Sequence, residues 1–421
     1  LEDAVQEAQA GAMILLRPGR YRQPLLLQTD GVTVAGDGGC EECVICFGKE
    51  HPKENPGGEE GTSSVFSTII SKGSGICLYN LTVEWDGADS VMFPHGVAQD
   101  SAAVLVLRGD LALVNCVVHN PRGAGVILRR AAKAKISACR FASSGTTGIV
   151  IEEEVSAEVR FCDILKSKKC AILYMRASNP LIEGNRIVHS GSSGILAACS
   201  SLGIIKSNDI VASKRAGVEL QDGSDPVVQQ NKIYQNMFGL ILSASRGKIL
   251  DNVINESKFA AVSILKKTCT ELTLNRIKGE QKATGMMVSG GSKVWIRQQE
   301  LQGVRKGIVI SEASEVSLYD SRIFHLSSDA VAISGEDSKL IASGNECFGN
   351  PGIGFHITRG ASAKLLDNKI NFNNGVGLLV DEDCTGSMAR NEIHDNAEGD
   401  ILVYAPDRYE PSCHAELSAW Q

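Results

Sequence analysis

Asparagine followed two residues later by isoleucine recurs along this chain at a nearly constant interval. The matches are Asn185-Arg186-Ile187, Asn208-Asp209-Ile210, Asn231-Lys232-Ile233, Asn252-Val253-Ile254, Asn275-Arg276-Ile277, Asn368-Lys369-Ile370 and Asn391-Glu392-Ile393. Successive separations are 23, 23, 21 and 23 residues, then a gap of 93, then 23. Within the gap, steps of 23 or 24 land on Gln298, Ser321 and Asn345, and backward steps from Asn185 land on Cys162, Cys139 and Cys116. A second column, a small residue followed by an apolar one, keeps the same register from Gly125-Val126 through Gly148-Ile149, Ala171-Ile172 and Gly194-Ile195 to Gly377-Leu378. Two columns locked together over this length mark a repeat architecture, in which each unit buries its apolar face against its neighbours.

The period decides which repeat. Short β-branched runs alternate with Gly, Ser, Asn and Lys turns, and about 23 residues is too short for a strand–helix–strand unit. It suits three short strands joined by tight turns. The expected fold is all-β: a right-handed parallel β-helix, a solenoid of about 23 residues per coil. Coils stack at the strand spacing of about 4.8 Å, so equivalent residues lie over one another. The column Asn185, Asn208, Asn231, Asn252, Asn275, Asn345, Asn368 and Asn391 is then an inward ladder. Each amide bonds the next, and each asparagine takes the left-handed conformation of a sharp turn. Cys116, Cys139 and Cys162 fill the same slot as small apolar variants.

The ends depart from the pattern. Residues 1–12 are expected to form a helical cap, because an open β-helix end exposes unpaired backbone and apolar core. The β-helix is expected over 13–404, with loops near 49–64 and 85–100, and residues 405–421 as a C-terminal covering segment. The opening at Leu1, inside what looks like a helix, suggests a piece of a longer protein.

Composition narrows the partners. The formal net charge of −7 argues against nucleic acid or an anionic membrane as the main partner, and no run approaches 18 apolar residues. The 13 cysteines are odd in number, and several occupy one repeat position. That pattern resembles core packing more than a disulfide framework, and it points to a reducing, cytoplasmic setting.

β-Helices often host polysaccharide chemistry, so carboxylate, histidine and thiol constellations were sought. No Asp-Asp pair exists for inverting hydrolysis, and Arg276-Ile277-Lys278 is one coil of the repeat. Asp225-Pro226 is followed by two valines. Asp381-Glu382-Asp383 and Glu152-Glu153-Glu154 are the acidic candidates. Neighbours on a strand point to opposite faces, so these are expected to be turn or solvated positions. Cys40, Cys43 and Cys46, with His51 beyond them, have thiolate spacing seen in zinc sites, yet Val44-Ile45 between them has strand character and packing is preferred. His95, His119, His189, His325, His356 and His394 are scattered, as are Trp85, Trp295 and Trp420. No catalytic residue, metal or cofactor is expected.

Arg17-Pro18-Gly19-Arg20-Tyr21 followed by Gly31-Val32-Thr33-Val34-Ala35-Gly36 resembles the opening of pectinesterase-like and F-box β-helix proteins. Coils SNPLIEGNRIVHSGSSGI from Ser178 and SDPVVQQNKIYQNMFGL from Ser224 are similar to the repeats of F-box substrate receptors. AVLVLRGDLALVNCVVHNPRGAGVILRRAAKAKISACRF from Ala103 resembles the β-helix of SHC-binding, Nessun dorma-type spindle proteins. Where pectinesterases carry Gln-Asp-Thr-Leu, this chain has Arg122-Gly123-Ala124-Gly125, which leaves no carboxylate nucleophile. The resemblance implies a pectin-lyase-like fold used as a non-catalytic cytoplasmic scaffold for protein partners, at a microtubule-based or cytoskeletal structure. The alternative is a carbohydrate-active enzyme or polysaccharide-binding module of that class. The shortage of aromatics, 5% of residues, makes carbohydrate an unexpected ligand.

Overall fold

The computed structural model describes residues 1–47, 66–85 and 101–404. Its described part is an all-β, right-handed parallel β-solenoid with coils of about 23 residues, each coil giving one strand to each of three sheets. Two compact units divide at Arg215. In residues 1–215 the first sheet runs from Met13–Leu16 to Ile204–Lys206, the second from Gly19–Tyr21 to Asp209–Val211, and the third from Leu25–Leu27 to Ile195–Ala197. In residues 216–421 the corresponding sheets run from Val227–Gln229 to Thr385–Ala389, from Lys232–Tyr234 to Glu392–His394, and from Ala216–Gln221 to Ile401–Val403. Within each unit the described strands pair in parallel from one coil to the next, as Lys133 does with Ser156 and Ile136 with Val159.

Alternation within the strands explains the interior. Along Lys133–Ser137, Ala134 and Ile136 are buried while Lys133 and Lys135 face solvent. The isoleucines that follow the ladder asparagines, Ile187 and Ile210 in one unit and Ile233, Ile254 and Ile277 in the other, stack in the core. The small-residue column has a steric cause. A Cβ built on Gly148 would stand 2.6 Å from the carbonyl oxygen of Ala171, the equivalent residue one coil on.

The turn between the first and second sheets carries the asparagine column. Asn185 Nδ2 donates to Asn208 Oδ1 at 3.0 Å, and the Asn185 backbone N–H donates to the same oxygen at 2.9 Å. Asn231 with Asn252, Asn252 with Asn275, Asn345 with Asn368, and Asn368 with Asn391 repeat this double contact. The thiols of Cys116, Cys139 and Cys162 donate to backbone carbonyls in the same slot, and the Cys162 N–H donates to Asn185 Oδ1.

Two details differ from the sequence reading. The left-handed residue is the one before each asparagine, such as Ser207 (φ 55), Asp251 (φ 50) and Leu274 (φ 58). This frees the asparagine side chain to point inward. The gap position is filled by Gln299, whose N–H donates to Ser321 Oγ at 3.1 Å, whereas Gln298 is the left-handed turn residue (φ 50).

A second polar column, five residues further on, was not anticipated. Asn350 donates to Asn373 and Asn373 to Asn396, each at 2.9 Å, and Asn396 donates to Asp400 at 3.0 Å.

No helix spans 1–12. The only helical turn there is Glu2–Gln6, with Val5 its sole buried residue. One apolar anchor cannot offset the cost of helix nucleation. Gly11, with φ 78, instead turns the chain into the first strand while its N–H bonds Asp30. The anticipated loop over 49–64, most of that over 85–100, His51, His95 and the C-terminal segment 405–421 with Trp420 lie outside the described residues. Trp85 ends the strand Thr82–Trp85 and is buried.

Candidate functional site

Outward positions on the third sheet alternate with core positions, so two outward columns run along it. Near the end of the second unit these columns bring chemistry together. Phe355–Thr358 turns His356 and Thr358 away from the core, and Leu378–Val380 does the same with Leu379. The ladder sets His356 beside Leu379 and Leu379 beside Leu402. Asp381 follows directly on its strand. Its N–H bonds Ile357 O, and the N–H of Tyr404, one coil on, bonds Val380 O.

His356 Nε2 lies 3.9 Å from Asp381 Oδ1, with side chains 25% and 38% exposed. Arg359, a left-handed turn residue (φ 56), together with Asp381, Glu382, Asp383 and Tyr404 lines an open cleft of about 370 Å³. Its lining carries three carboxylates and one guanidinium, which give it a negative field, and His356 approaches it through Asp381. A half-buried His–Asp pair in a cleft is the arrangement from which acid–base chemistry is built. Tyr404 and the exposed Leu402 add an aromatic and an apolar surface beside it.

The acidic candidate Asp381-Glu382-Asp383 thus belongs to a cleft and not merely to a solvated turn. Its histidine partner lies 25 residues upstream, about one coil, and residue spacing alone left His356 among scattered histidines. Counting outward columns on the third strand would have joined them.

The other candidates are placed differently. Glu152 is buried and accepts from Arg129 Nε at 2.5 Å and Arg176 Nη1 at 3.2 Å, so its oxygens are committed to holding three successive coils together. Arg276 and Lys278 face solvent on the second sheet around buried Ile277. Cys43 and Cys46 lie three residues apart on one strand, which directs their side chains to opposite faces. Among the described residues no group of three His, Cys, Asp or Glu is placed to hold a metal ion. Trp295 faces outward on the first sheet.

Comparison with known proteins places the fold. The family described as right handed beta helix region matches residues 102–259 and 238–397. Among curated proteins no sequence match is found. The A-module of mannuronan C-5 epimerase AlgE6 from Azotobacter vinelandii is similar with a TM-score of 0.58 and 16% identity, over 73% of this chain and 89% of that one. The AlgE4 A-module from the same organism gives 0.54 and 17%, over 73% and 91%. DFA-IIIase from Arthrobacter chlorophenolicus A6, in complex with GF2, gives 0.54 and 12%, over 68% and 83%. What these structures share with the chain is the pectin-lyase-like right-handed β-helix.

These findings correct several expectations. These three structures of the same fold are of bacterial carbohydrate enzymes, which overturns the expectations of a non-catalytic cytoskeletal scaffold, of no enzyme activity and of carbohydrate as an unlikely ligand. The cytoplasmic, cytoskeleton-associated address falls with them, because it rested on the scaffold reading and on cysteine content. The cysteine argument was weak for a physical reason: a thiol column packs a solenoid core whatever surrounds the protein. The narrower likeness to F-box and SHC-binding proteins is not picked out by these matches.

Proposed function

We propose that this chain, which belongs to the right-handed β-helix family, is carbohydrate-active and that it cleaves or transfers glycosidic bonds of a neutral glycan in the His356–Asp381 cleft. The observation that carries the reading is the outward His356–Asp381 pair, 3.9 Å apart and partly shielded, whose Asp381 lines a cleft with Arg359 and Tyr404. The carbohydrate class is supported by the names of the fold relatives. The neutral character is supported by charge. A uronate would meet the carboxylates of Glu382 and Asp383, and each like-charge approach at 4 Å costs about 4 kcal/mol at an effective dielectric of 20. A neutral ring meets no such penalty. It can stack on Tyr404 and accept hydrogen bonds from the Arg359 guanidinium.

Asp381, 3.9 Å from His356 Nε2, is the acid–base group of this reading. In cleavage a protonated Asp381 gives its proton to the leaving glycosidic oxygen while a water, losing its proton to Glu382 or Asp383, bonds the anomeric carbon; in transfer a sugar hydroxyl takes the place of that water. Kinetics on a neutral oligosaccharide test the roles. Asp381→Asn is expected to lower kcat at least 100-fold, whereas Tyr404→Ala is expected to raise KM with a smaller effect on kcat. Unchanged kinetics in Asp381→Asn would remove the site. The kinship with F-box and SHC-binding proteins, carried by Arg17–Tyr21 and the stretch from Ala103, we keep as a proposal about descent rather than activity.

A further inference from the structure

In residues 1–215 the first sheet carries a hollow on its outward side. Its shape follows from the strand register. Core positions alternate with outward ones along Ile76–Tyr79, Asp110–Val114, Lys133–Ser137 and Ser156–Arg160. The register sets Cys77 beside Ala112, Ala112 beside Lys135, and Lys135 beside Glu158. In the next outward column Asp110 stands beside Lys133 and Lys133 beside Ser156. The turn at Gly109, with φ 76, sets where the strand of Asp110 begins, and its carbonyl accepts from the Lys133 N–H at 2.9 Å. Two small side chains, Cys77 and Ala112, are thus followed by long ones, and a cavity of about 400 Å³ opens over the small pair.

The charges around this hollow fall into two sets. Glu158 lies 3.3 Å from Arg160, Arg160 3.3 Å from Glu183, and Glu183 2.9 Å from Lys206, so these four neutralise one another. Among the described residues no ion pair engages Asp110, Lys133 or Lys135, and all three are exposed in the cavity lining. The hollow therefore offers two uncommitted ammonium groups and one uncommitted carboxylate. Lys133 and Lys135 share a face two residues apart on one strand, about 7 Å, and Asp110 is one strand spacing, about 4.8 Å, from Lys133. Burial pushes the Cys77 thiol up, so the floor stays uncharged.

We propose that this hollow binds an acidic α-amino acid, a ligand with two carboxylates and one ammonium on a short aliphatic stem. Its charges complement those of the site one for one. Lys133 and Lys135 take the carboxylates, Asp110 takes the ammonium, and the methylenes rest on Cys77 and Ala112. Charge-assisted hydrogen bonds of this kind are shorter and stronger than neutral ones. A polyanion is disfavoured, because it brings Asp110 a carboxylate and no ammonium. A neutral sugar leaves all three charges unmatched. The hollow lies in the other unit from the His356–Asp381 cleft and does not depend on what that cleft does.

Isothermal titration of the whole chain at low salt with L-glutamate, glutarate and L-glutamine tests this. L-Glutamate is expected to give saturable heat at one site. Glutarate, which lacks the ammonium, and L-glutamine, which lacks one carboxylate, should each bind at least about tenfold more weakly. Asp110→Asn should weaken L-glutamate about tenfold and leave glutarate no weaker, whereas Lys135→Gln should weaken both. The glutarate affinity kept by Asp110→Asn shows that the hollow is intact in that variant. Asp381→Asn should bind L-glutamate like wild type, which separates the hollow from the cleft. No saturable heat with L-glutamate, glutarate bound as tightly as L-glutamate, or either charge variant binding L-glutamate like wild type would overturn the proposal.

Discussion

At the scale of single residues, the fold is held by polar groups that have left water and found identical partners. Asn208 is the best example: its Oδ1 accepts from both the backbone and the side chain of Asn185, and its Nδ2 donates to Ile182 O at 3.0 Å. Asn208→Ala removes all three bonds and strands buried groups of the preceding coil, the Asn185 N–H and the Ile182 carbonyl. A loss of about 2–3 kcal/mol in urea unfolding is expected, and a loss below about 0.5 kcal/mol would show that the amide is dispensable. The thiols follow from burial as well. Desolvation pushes Cys347 up to about 12, even though a hydrogen bond from Asn350 favours its thiolate. Because the folded value is raised, its contribution to stability is complete below the ordinary thiol range and is lost as pH rises towards about 12. At pH 8, iodoacetamide should label the exposed Cys199 and Cys269 and spare Cys347. Prompt labelling of native Cys347, followed by mass spectrometry, would contradict this.

Much of the residue scale was legible. The asparagine interval exposes the ladder because equal spacing in sequence becomes vertical stacking once strands pair in register. What the interval could not show is which of two adjacent turn residues takes the left-handed conformation. Ser207, Asp251 and Leu274 have no common chemistry, so only the backbone path reveals them. The second column, Asn350, Asn373 and Asn396, was readable from the same arithmetic five residues further on.

Among strands, register is fixed by more than burial. Along the outward face of the second sheet in the second unit, Arg276, Glu300, Arg322, Glu346, Lys369 and Glu392 succeed one another coil by coil. Arg322 reaches Glu346 at 3.0 Å, and the Phe324 and Phe348 rings stack beside it, 5.1 Å apart and nearly parallel. Alternating signs penalise any slip of one coil and make this face a poor partner for a polyanion. Arg322→Glu would set three carboxylates in a row. It should cost about 1 kcal/mol at low salt, less at high salt, and an effect independent of salt would assign the loss to ring packing instead. The cap shows the opposite limit of sequence reading: alanines near the start imitate a helix, but a single buried contact at Val5 does not sustain one.

For the whole molecule, the repeat announces the architecture and is nearly silent about activity. Every coil obeys the same packing rules, so a site appears only where outward columns of two or three coils carry compatible groups. His356, Asp381 and Tyr404 are distant in sequence and meet because each sits one coil after the last.

Action of the cleft on a neutral glycan is tested by incubating wild-type protein and Asp381→Asn with matched panels of neutral and uronate oligosaccharides and following the products by mass spectrometry. New saccharide products are expected from at least one neutral member, little from the uronates, and at least a 100-fold loss in the variant. Wild-type protein that leaves every saccharide intact, or a variant as active as wild type, would contradict it.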